Sequence, residues 1–464
     1  MEETREKCGV FGVYGSKLEV ARLAFFGLFA LQHRGQESSG IATADGSSIH
    51  AHRGMGLVAH VFAEENIQAL PGFISVGHNR YSTAGGSKAE HAQPMTDTKG
   101  RFALAHNGNL PSTAALWNYV QDLKEATKED SDTRFVVNAI SSAMDKGDSL
   151  ENAVKRIYPL MTGAFSIVIM GVDRLIAIRD RCGIRPLSIG KVGGGFTFSS
   201  ETCALHTIDA VYLRDVEPGE MVVIDETGLR SEQLATPDPK FDVFEYVYFS
   251  RPDSELMGKS VYEVRKNFGA QLARERTIFA DVVIPVPETA VPVAIGYAQA
   301  SGIPFELGLA KNRYIHRTFI QPEQHMREKG VKMKLTPVPG VISGKRVIVV
   351  DDSIVRGTTS REIVKMLFEA GAKEVHFVVS SPPVRFPDFY GIDTPRQDQL
   401  IAALKSEDEV CEFLGSTSLQ YLSLPGMISA IGIPESRLNT SCFTGKYPID
   451  IGTNARKIMF DARG

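Results

Sequence analysis

The sequence predicts two architectures in one chain, a mixed α+β front half of layered sheets followed by an α/β back half with a parallel sheet. Three observations predict this. At 464 residues the chain is too long for one ordinary core, and two domains of about two hundred residues each are expected. Up to about residue 235 it offers many short strand-like runs with few helices between them, the mark of stacked sheets. Beyond that point strands and helices alternate, as in a parallel α/β unit.

Taken in order, CGVFGVYG from Cys8 reads as an apolar strand closed by glycine. Leu18 to His33 is apolar on most faces and free of proline, so a largely buried helix is expected. FALAHNG, AFSIVIMG, RLIAIRD and EMVVID follow as strands, many bounded by Gly or Asp. ATPDPKFD (235–242), with two prolines and alternating charge, marks the boundary. This divides the chain into a leader (1–7), a front domain (8–235) and a back domain (236–464). In the back half Tyr262 to Arg276 and Ala290 to Ser301 read as helices, and DVVIPVP as a strand. FELGLAK is expected as the next strand. KRVIVVDD is a continuous buried-type strand leading through a glycine-containing turn into a helix ending near Gly371, and EVHFVVSS repeats the strand pattern.

Composition narrows the class. Hydrophobic residues make up 43% and charged residues 23%, the balance of a globular enzyme. A net charge of −4 gives no electrostatic reason to bind nucleic acid. No apolar run approaches the roughly 20 residues that cross a bilayer, and MEETREK lacks the hydrophobic stretch of a signal peptide. Five cysteines, scattered and odd in number, argue against a disulfide framework and for a reducing cytoplasm.

The front half carries four clusters with chemical potential. Taken alone, Cys8 is most often a buried packing residue. Were the bond after Lys7 cut, Cys8 would carry a thiol and a free α-amine; an α-amine titrates at about 7.7–8.0 and can serve as a general base. HNRYSTAG (78–85) places Arg80 beside hydroxyl and glycine residues, and an arginine can hold an amino-acid carboxylate by two hydrogen bonds. AHNGNL (105–110) follows a strand with Asn-Gly, an ordinary turn signal. The same pair, Asn107 and Gly108, can aim an amide and a backbone N–H at a developing oxyanion. SDT (131–133) can simply cap a helix beginning at Thr133, or present Asp132 to an α-ammonium.

In the back half VIVVDDSIVRGTTS (347–360) is the most informative segment. A buried strand ends in Asp351 and Asp352. A turn through Ser353, Arg356 and Gly357 then leads into a helix opened by Thr358, Thr359 and Ser360. Helix N-terminal N–H groups and hydroxyls form a phosphate cradle, Gly357 permits close backbone approach, and the acid pair suits ribose hydroxyls and a hard cation such as Mg²⁺. The bland alternative is an ordinary capped strand end.

CGVFG, HNRYSTAG, HNGNL and SDT stand in the order found in N-terminal-nucleophile glutamine amidotransferases, which the front half resembles. The resemblance implies an αββα sandwich, Cys8 as nucleophile, Asn107 and Gly108 as oxyanion hole, and Arg80 and Asp132 as anchors for glutamine. GIRPL (183–187) and SSETCAL (199–205) fit the same domain. The back segment resembles the phosphoribosyl pyrophosphate signature of type I phosphoribosyltransferases. PVPET (285–289) is similar to their pyrophosphate turn, with Thr289 as a further metal contact. The basic stretch 311–335 matches the loop that closes over pyrophosphate and helps to form an ammonia channel. Together with FEYVYFSRPDS (244–254) and CFTGKYP (442–448), these identify the chain as similar to the glutamine phosphoribosylpyrophosphate amidotransferase family from Cys8 to about Tyr447. That family makes phosphoribosylamine for purine synthesis and forms tetramers inhibited by purine nucleotides such as AMP and GMP.

The chain departs from that family's pattern in one respect. Many members hold a [4Fe–4S] cluster on four cysteines, whose places here are Asp242, Asp388, Asn439 and Cys442. One thiolate cannot hold four irons, so no cluster is expected. Members with a leader mature by cutting before the cysteine, which implies loss of residues 1–7. Two rivals are weaker. An amidotransferase acting on a sugar phosphate has no use for the 347–360 segment, and a non-catalytic purine-sensing regulator would want a basic DNA-binding domain.

Overall fold

A computed structural model of the chain describes residues 8–81, 89–123, 127, 130–312, 334–391 and 396–452. The leader 1–7 and most of the basic stretch 311–335 therefore lie outside the described residues, as do the last residues of HNRYSTAG. No helix among the described residues is long and apolar enough to cross a membrane.

The front half is a four-layer αββα sandwich. A seven-stranded antiparallel sheet places Gly9–Tyr14 between Ile74–Arg80 and Gly195–Ser199. A six-stranded antiparallel sheet centres on Phe102–Ser112, Thr162–Gly171 and Leu175–Arg179. Alternation along these strands sends one set of side chains between the sheets, where Val10, Val76, Ala105, Val168 and Phe198 share a core. The other set meets helices. Phe11 and Val13 pack under helix Val20–Ala30, while Ile167 and Ile178 pack under helix Asp132–Asp145. At Gly12 the sheets come so close that an added Cβ would stand 2.8 Å from Val168 Cγ1. The first helix stops at Ala30, and Gln32–Arg34 tighten into a 3₁₀ turn that carries Arg34 into the interior.

The back half holds a four-stranded parallel sheet in the order Val282–Pro285, Arg346–Asp351, Glu374–Val379, Ser418–Tyr421. FELGLAK does not join it as expected. Phe305 makes one parallel bridge to Val283, and Leu309–Lys311 pairs instead with Leu335–Pro337. The run is split at Glu306–Gly308, where Gly308 N donates back to the Glu306 carbonyl at 3.2 Å and an added Cβ on Gly308 would stand 2.6 Å from Ile284 Cγ2. Helix Glu407–Leu414, absent from the sequence reading, bears a capping box between Ser406 and Glu409, a local signal that was available.

Candidate active site

Cys8 stands at the mouth of the first strand, and the register that pairs Gly9 with Asn79 brings it beside Arg80. Its Sγ lies 3.9 Å from the Tyr81 carbonyl oxygen, and its own carbonyl accepts a hydrogen bond of 3.3 Å from Arg34 Nε. Burial pushes the Cys8 thiol above its ordinary range. The Tyr81 backbone and the Arg80 cation oppose that shift, and the Asp132 and Glu37 carboxylates add to it. So Arg80 and Asp132, far apart in sequence, both act on the thiol. Arg80 is nearly buried and pairs with Glu37 at 2.9 Å, a partner for which the sequence holds no local signal.

Asn107 and Gly108 do not form the expected turn. They run inside the long strand Phe102–Ser112, opposite Ser166 and Phe165, and the irregularity comes later, between Asn109 and Ser112. Gly108 tolerates this because its φ of 151° and its contact with the neighbouring strand exclude a side chain; a Cβ would stand 2.0 Å from the Ala164 oxygen. The Asn107 amide is buried, and neither its oxygen nor its nitrogen has a hydrogen-bond partner among the described residues. Such a group costs stability unless a ligand completes it.

Ser131, not the whole SDT run, caps the helix, accepting from Arg134 N at 3.2 Å, and Asp132 is its first residue. The Asp132 carboxylate accepts from Leu110 N at 3.1 Å, which fastens it to the Asn107–Gly108 strand. His78 Nε2 donates to the His106 carbonyl at 3.0 Å, joining the strand that carries Arg80 to the strand that carries Asn107.

The second constellation lies at the carboxyl end of the parallel sheet. Asp351 closes the strand Arg346–Asp351, and its Oδ1 accepts from Asp352 N at 2.9 Å. Ser353 Oγ donates to Asp352 at 2.8 Å. Gly357, at φ 76°, turns the chain into helix Thr358–Glu369 without a side-chain cap. Thr358 is exposed and Thr359 half-buried, whereas Ser360 faces the interior. Arg356 reaches sideways to Gln399 at 2.6 Å. The turn that holds Thr289 follows the adjacent strand Val282–Pro285, and Val286 N donates to the Val350 carbonyl at 2.8 Å. Thr289 thus belongs to the same end of the sheet as the acid pair. Among the described residues no three His, Cys, Asp or Glu side chains gather as a metal cage. Two carboxylates and a hydroxyl suit Mg²⁺, which keeps its waters and takes further oxygens from phosphate.

The four positions discussed as cluster ligands do meet. Asp242 and Asn439 are paired in register on two short parallel strands, and Cys442 Sγ lies 4.0 Å from Asp388. Arg185 occupies their centre, 2.8 Å from Asp242 and 3.7 Å from Asp388, and donates to the Tyr390 carbonyl. Burial drives the Cys442 thiol well above its ordinary range, and Asp388 and Asp242 drive it further. A protonated thiol among carboxylates, locked to a guanidinium, does not fit an iron–sulfur cluster. Nearby, the halves touch closely. Asn109 Nδ2 donates to the Phe389 carbonyl at 2.8 Å, and a Cβ on Gly391 would stand 3.2 Å from the Gly108 carbonyl carbon.

A thiol at the head of an αββα sandwich, joined to a parallel sheet ending in an acid pair and a glycine-led helix, defines a glutamine amidotransferase fused to a phosphoribosyltransferase. Comparison with known proteins agrees. Residues 78–207 match the glutamine amidotransferase domain model and residues 264–382 the phosphoribosyl transferase domain model. The chain is 49% identical to the amidophosphoribosyltransferase of Synechocystis, over 98% of this chain and 94% of that one. It is 45% identical to that of Bacillus subtilis, over 96% and 95%. The solved structure described as the allosteric regulatory enzyme of purine biosynthesis superposes with a TM-score of 0.91 at 45% identity, over 97% of each chain. The B. subtilis glutamine phosphoribosylpyrophosphate amidotransferase complexed with ADP and GMP gives 0.90 at 44%, over 96% and 98%. The chain belongs to the amidophosphoribosyltransferase family.

Proposed function

We propose that the chain hydrolyses glutamine at Cys8 and passes the ammonia to phosphoribosyl pyrophosphate. The products are glutamate, 5-phosphoribosylamine and pyrophosphate, in the opening step of purine nucleotide synthesis. The observation that carries this reading is the buried Asn107 amide, which has no partner among the described residues, beside the Gly108 backbone, in the half of the chain that also sets Arg80 and Asp132 in the field of a thiol.

Loss of residues 1–7 frees the Cys8 α-amine, which takes the thiol proton. The thiolate adds to the glutamine amide carbon, and Asn107 Nδ2 and the Gly108 N–H receive the oxyanion. Arg80 holds the substrate carboxylate and Asp132 its ammonium. The protonated amine returns its proton to the leaving nitrogen, and water then clears the thioester. In the back half the first-turn N–H groups with Thr358 and Thr359 hold phosphate, while Asp351 and Asp352 orient the ribose and its cation. Mg²⁺, held by Asp351, Asp352 and Thr289, would neutralise charge on the departing pyrophosphate. Ammonia needs a dry passage between the sites, because in neutral water it is mostly protonated.

Purine nucleotides, AMP and GMP among them, feed back on a homotetramer; a relative at 44% identity is complexed with ADP and GMP, and Phe26 and Phe29 stand exposed on one helix. The protein works in the cytoplasm, in keeping with five cysteines free of disulfides. It carries no iron–sulfur cluster, since Arg185 and two carboxylates fill the place. Protein purified without oxygen should contain little iron or sulfide, and near-stoichiometric iron would defeat that claim.

The central test combines intact mass and N-terminal sequencing with glutamine hydrolysis, measured with and without phosphoribosyl pyrophosphate. A chain beginning at Cys8 whose hydrolysis rises with phosphoribosyl pyrophosphate supports the proposal. A matured chain inert toward glutamine sinks it.

A further inference from the structure

A buried ionic cluster lies between the two halves, outside the groups assigned to either site. Arg34 lies in the front half, just past the first helix, and is buried. Its Nη1 and Nη2 meet Glu245 at 3.0 and 2.9 Å, Nη1 meets Glu201 at 2.5 Å, and Nε donates to the Cys8 carbonyl at 3.3 Å. Glu245 is carried by the other half. It opens the single-turn π-helix Glu245–Phe249, whose neighbours Phe244, Tyr246, Val247 and Phe249 sit in the back half's core. Its carboxylate also accepts from Ser250 Oγ at 2.8 Å and Arg185 Nη1 at 3.3 Å. Ser250 in turn presents its carbonyl to Arg265 Nη2 at 2.8 Å, and Asp352 is the largest charge stabilising the buried Arg265 cation.

We propose that Glu245 is a positioning residue of the glutamine site, holding Arg34 against the Cys8 carbonyl so that the back half sets where the nucleophile stands. The inference rests on the proposed cut before Cys8. Once residues 1–7 leave, Cys8 becomes a chain terminus, and termini fray unless tied down. Among the described residues two side-chain ties hold that residue, the weak contact of Sγ with Tyr81 and the Arg34 clamp on the carbonyl. An arginine left to itself has several rotamers, but one bound by two carboxylates in fork geometry has one. A nucleophile displaced by a fraction of an ångström loses rate while substrate binding, set by Arg80 and Asp132, persists.

The test compares full-length Glu245→Gln and Glu245→Asp with wild type, each confirmed by mass to begin at Cys8. Glu245→Gln is expected to lower kcat for glutamine hydrolysis by about tenfold or more, with KM for glutamine and ammonia-driven synthesis of phosphoribosylamine each within about twofold. Glu245→Asp, which keeps the charge, should recover part of the loss, and alkylation of Cys8 by iodoacetamide should follow kcat across the series. Unchanged kcat overturns the proposal, and so does an equal fall in hydrolysis and ammonia-driven synthesis, which marks a general loosening. Should Glu245→Gln fail to accumulate folded, Arg34→Lys carries the same test with the same two overturning results. Wild-type protein inert toward glutamine would instead sink the functional reading itself.

Discussion

The two sites are built on different length scales. In the glutamine site the charged groups are fixed by partners distant in sequence: Arg80 pairs with Glu37 at a separation of 43 residues, and Asp132 accepts from Leu110 at a separation of 22. In the phosphate site the acid side chains have immediate neighbours as partners, Asp351 with Asp352 N and Asp352 with Ser353, although Arg356 reaches Gln399 at a separation of 43 residues. The first is a product of tertiary packing, and in the second the turn from acid pair to helix is built mainly from consecutive residues. A substitution in the back turn should therefore act locally, while one in the front site should spread through two sheets.

The sharpest break in the comparison comes from Cys8→Ala. It should cut glutamine hydrolysis by about 10³-fold or more while ammonia-driven synthesis stays within about twofold; parallel loss of both would show that the sites are not separable. Asp352→Asn should lower synthesis by about 10²-fold from glutamine and from added ammonia alike. A loss confined to the glutamine-driven reaction would move Asp352 out of the phosphate site.

Acid probes the long-range construction directly. Burial holds His78 down to about 3, so the folded protein keeps it neutral as the Nε2–H donor to His106. In the unfolded chain it takes a proton at about 6.5. Its folded value is the lower one, so its contribution is whole above about pH 6.5 and is lost as pH falls toward 3. Wild type should lose stability in that window by up to about 1.4 kcal/mol per pH unit more than His78→Gln, measured by denaturant unfolding. Equal slopes would remove His78 from the account. The smallest effect is expected at Glu37. Glutamine's carboxylate must compete with Glu37 for Arg80, so Glu37→Gln should lower KM for glutamine by about threefold. It also removes a charge that disfavours the thiolate, so the midpoint of Cys8 alkylation should move to lower pH. A raised KM would mean that Glu37 orients Arg80 instead of blocking it.

The same difference in length scale decides what could be read from the sequence. The acid pair, Gly357 and the hydroxyl run were legible because strand, turn and helix N-terminus are adjacent, although the inward turn of Ser360 was not. Cys8, Arg80, Asn107 and Asp132 were each ambiguous alone and gained meaning from their order. Glu37, which pairs with Arg80, and Glu245, which pairs with Arg34, carried no sign, because nothing local distinguishes a buried carboxylate from a solvated one. Asn-Gly at 107–108 misled for a related reason. The pair favours a turn in isolation, yet pairing along Thr162–Gly171 keeps it extended, and only the crowding at Ala164 explains the glycine. The layered front and parallel back were legible from rhythm, but FELGLAK was not, since Gly308 divides it.

Gly108 and Gly391 meet where the halves touch: a Cβ on Gly391 would press on the Gly108 backbone at 3.2 Å, while Ala164 of its own half already bars a side chain from Gly108. Across generations such a contact behaves as a joint inheritance. A front half spliced from one family member onto the back half of another should function only where the back-half parent kept glycine at 391, since a side chain there would press on the front half's Gly108 backbone.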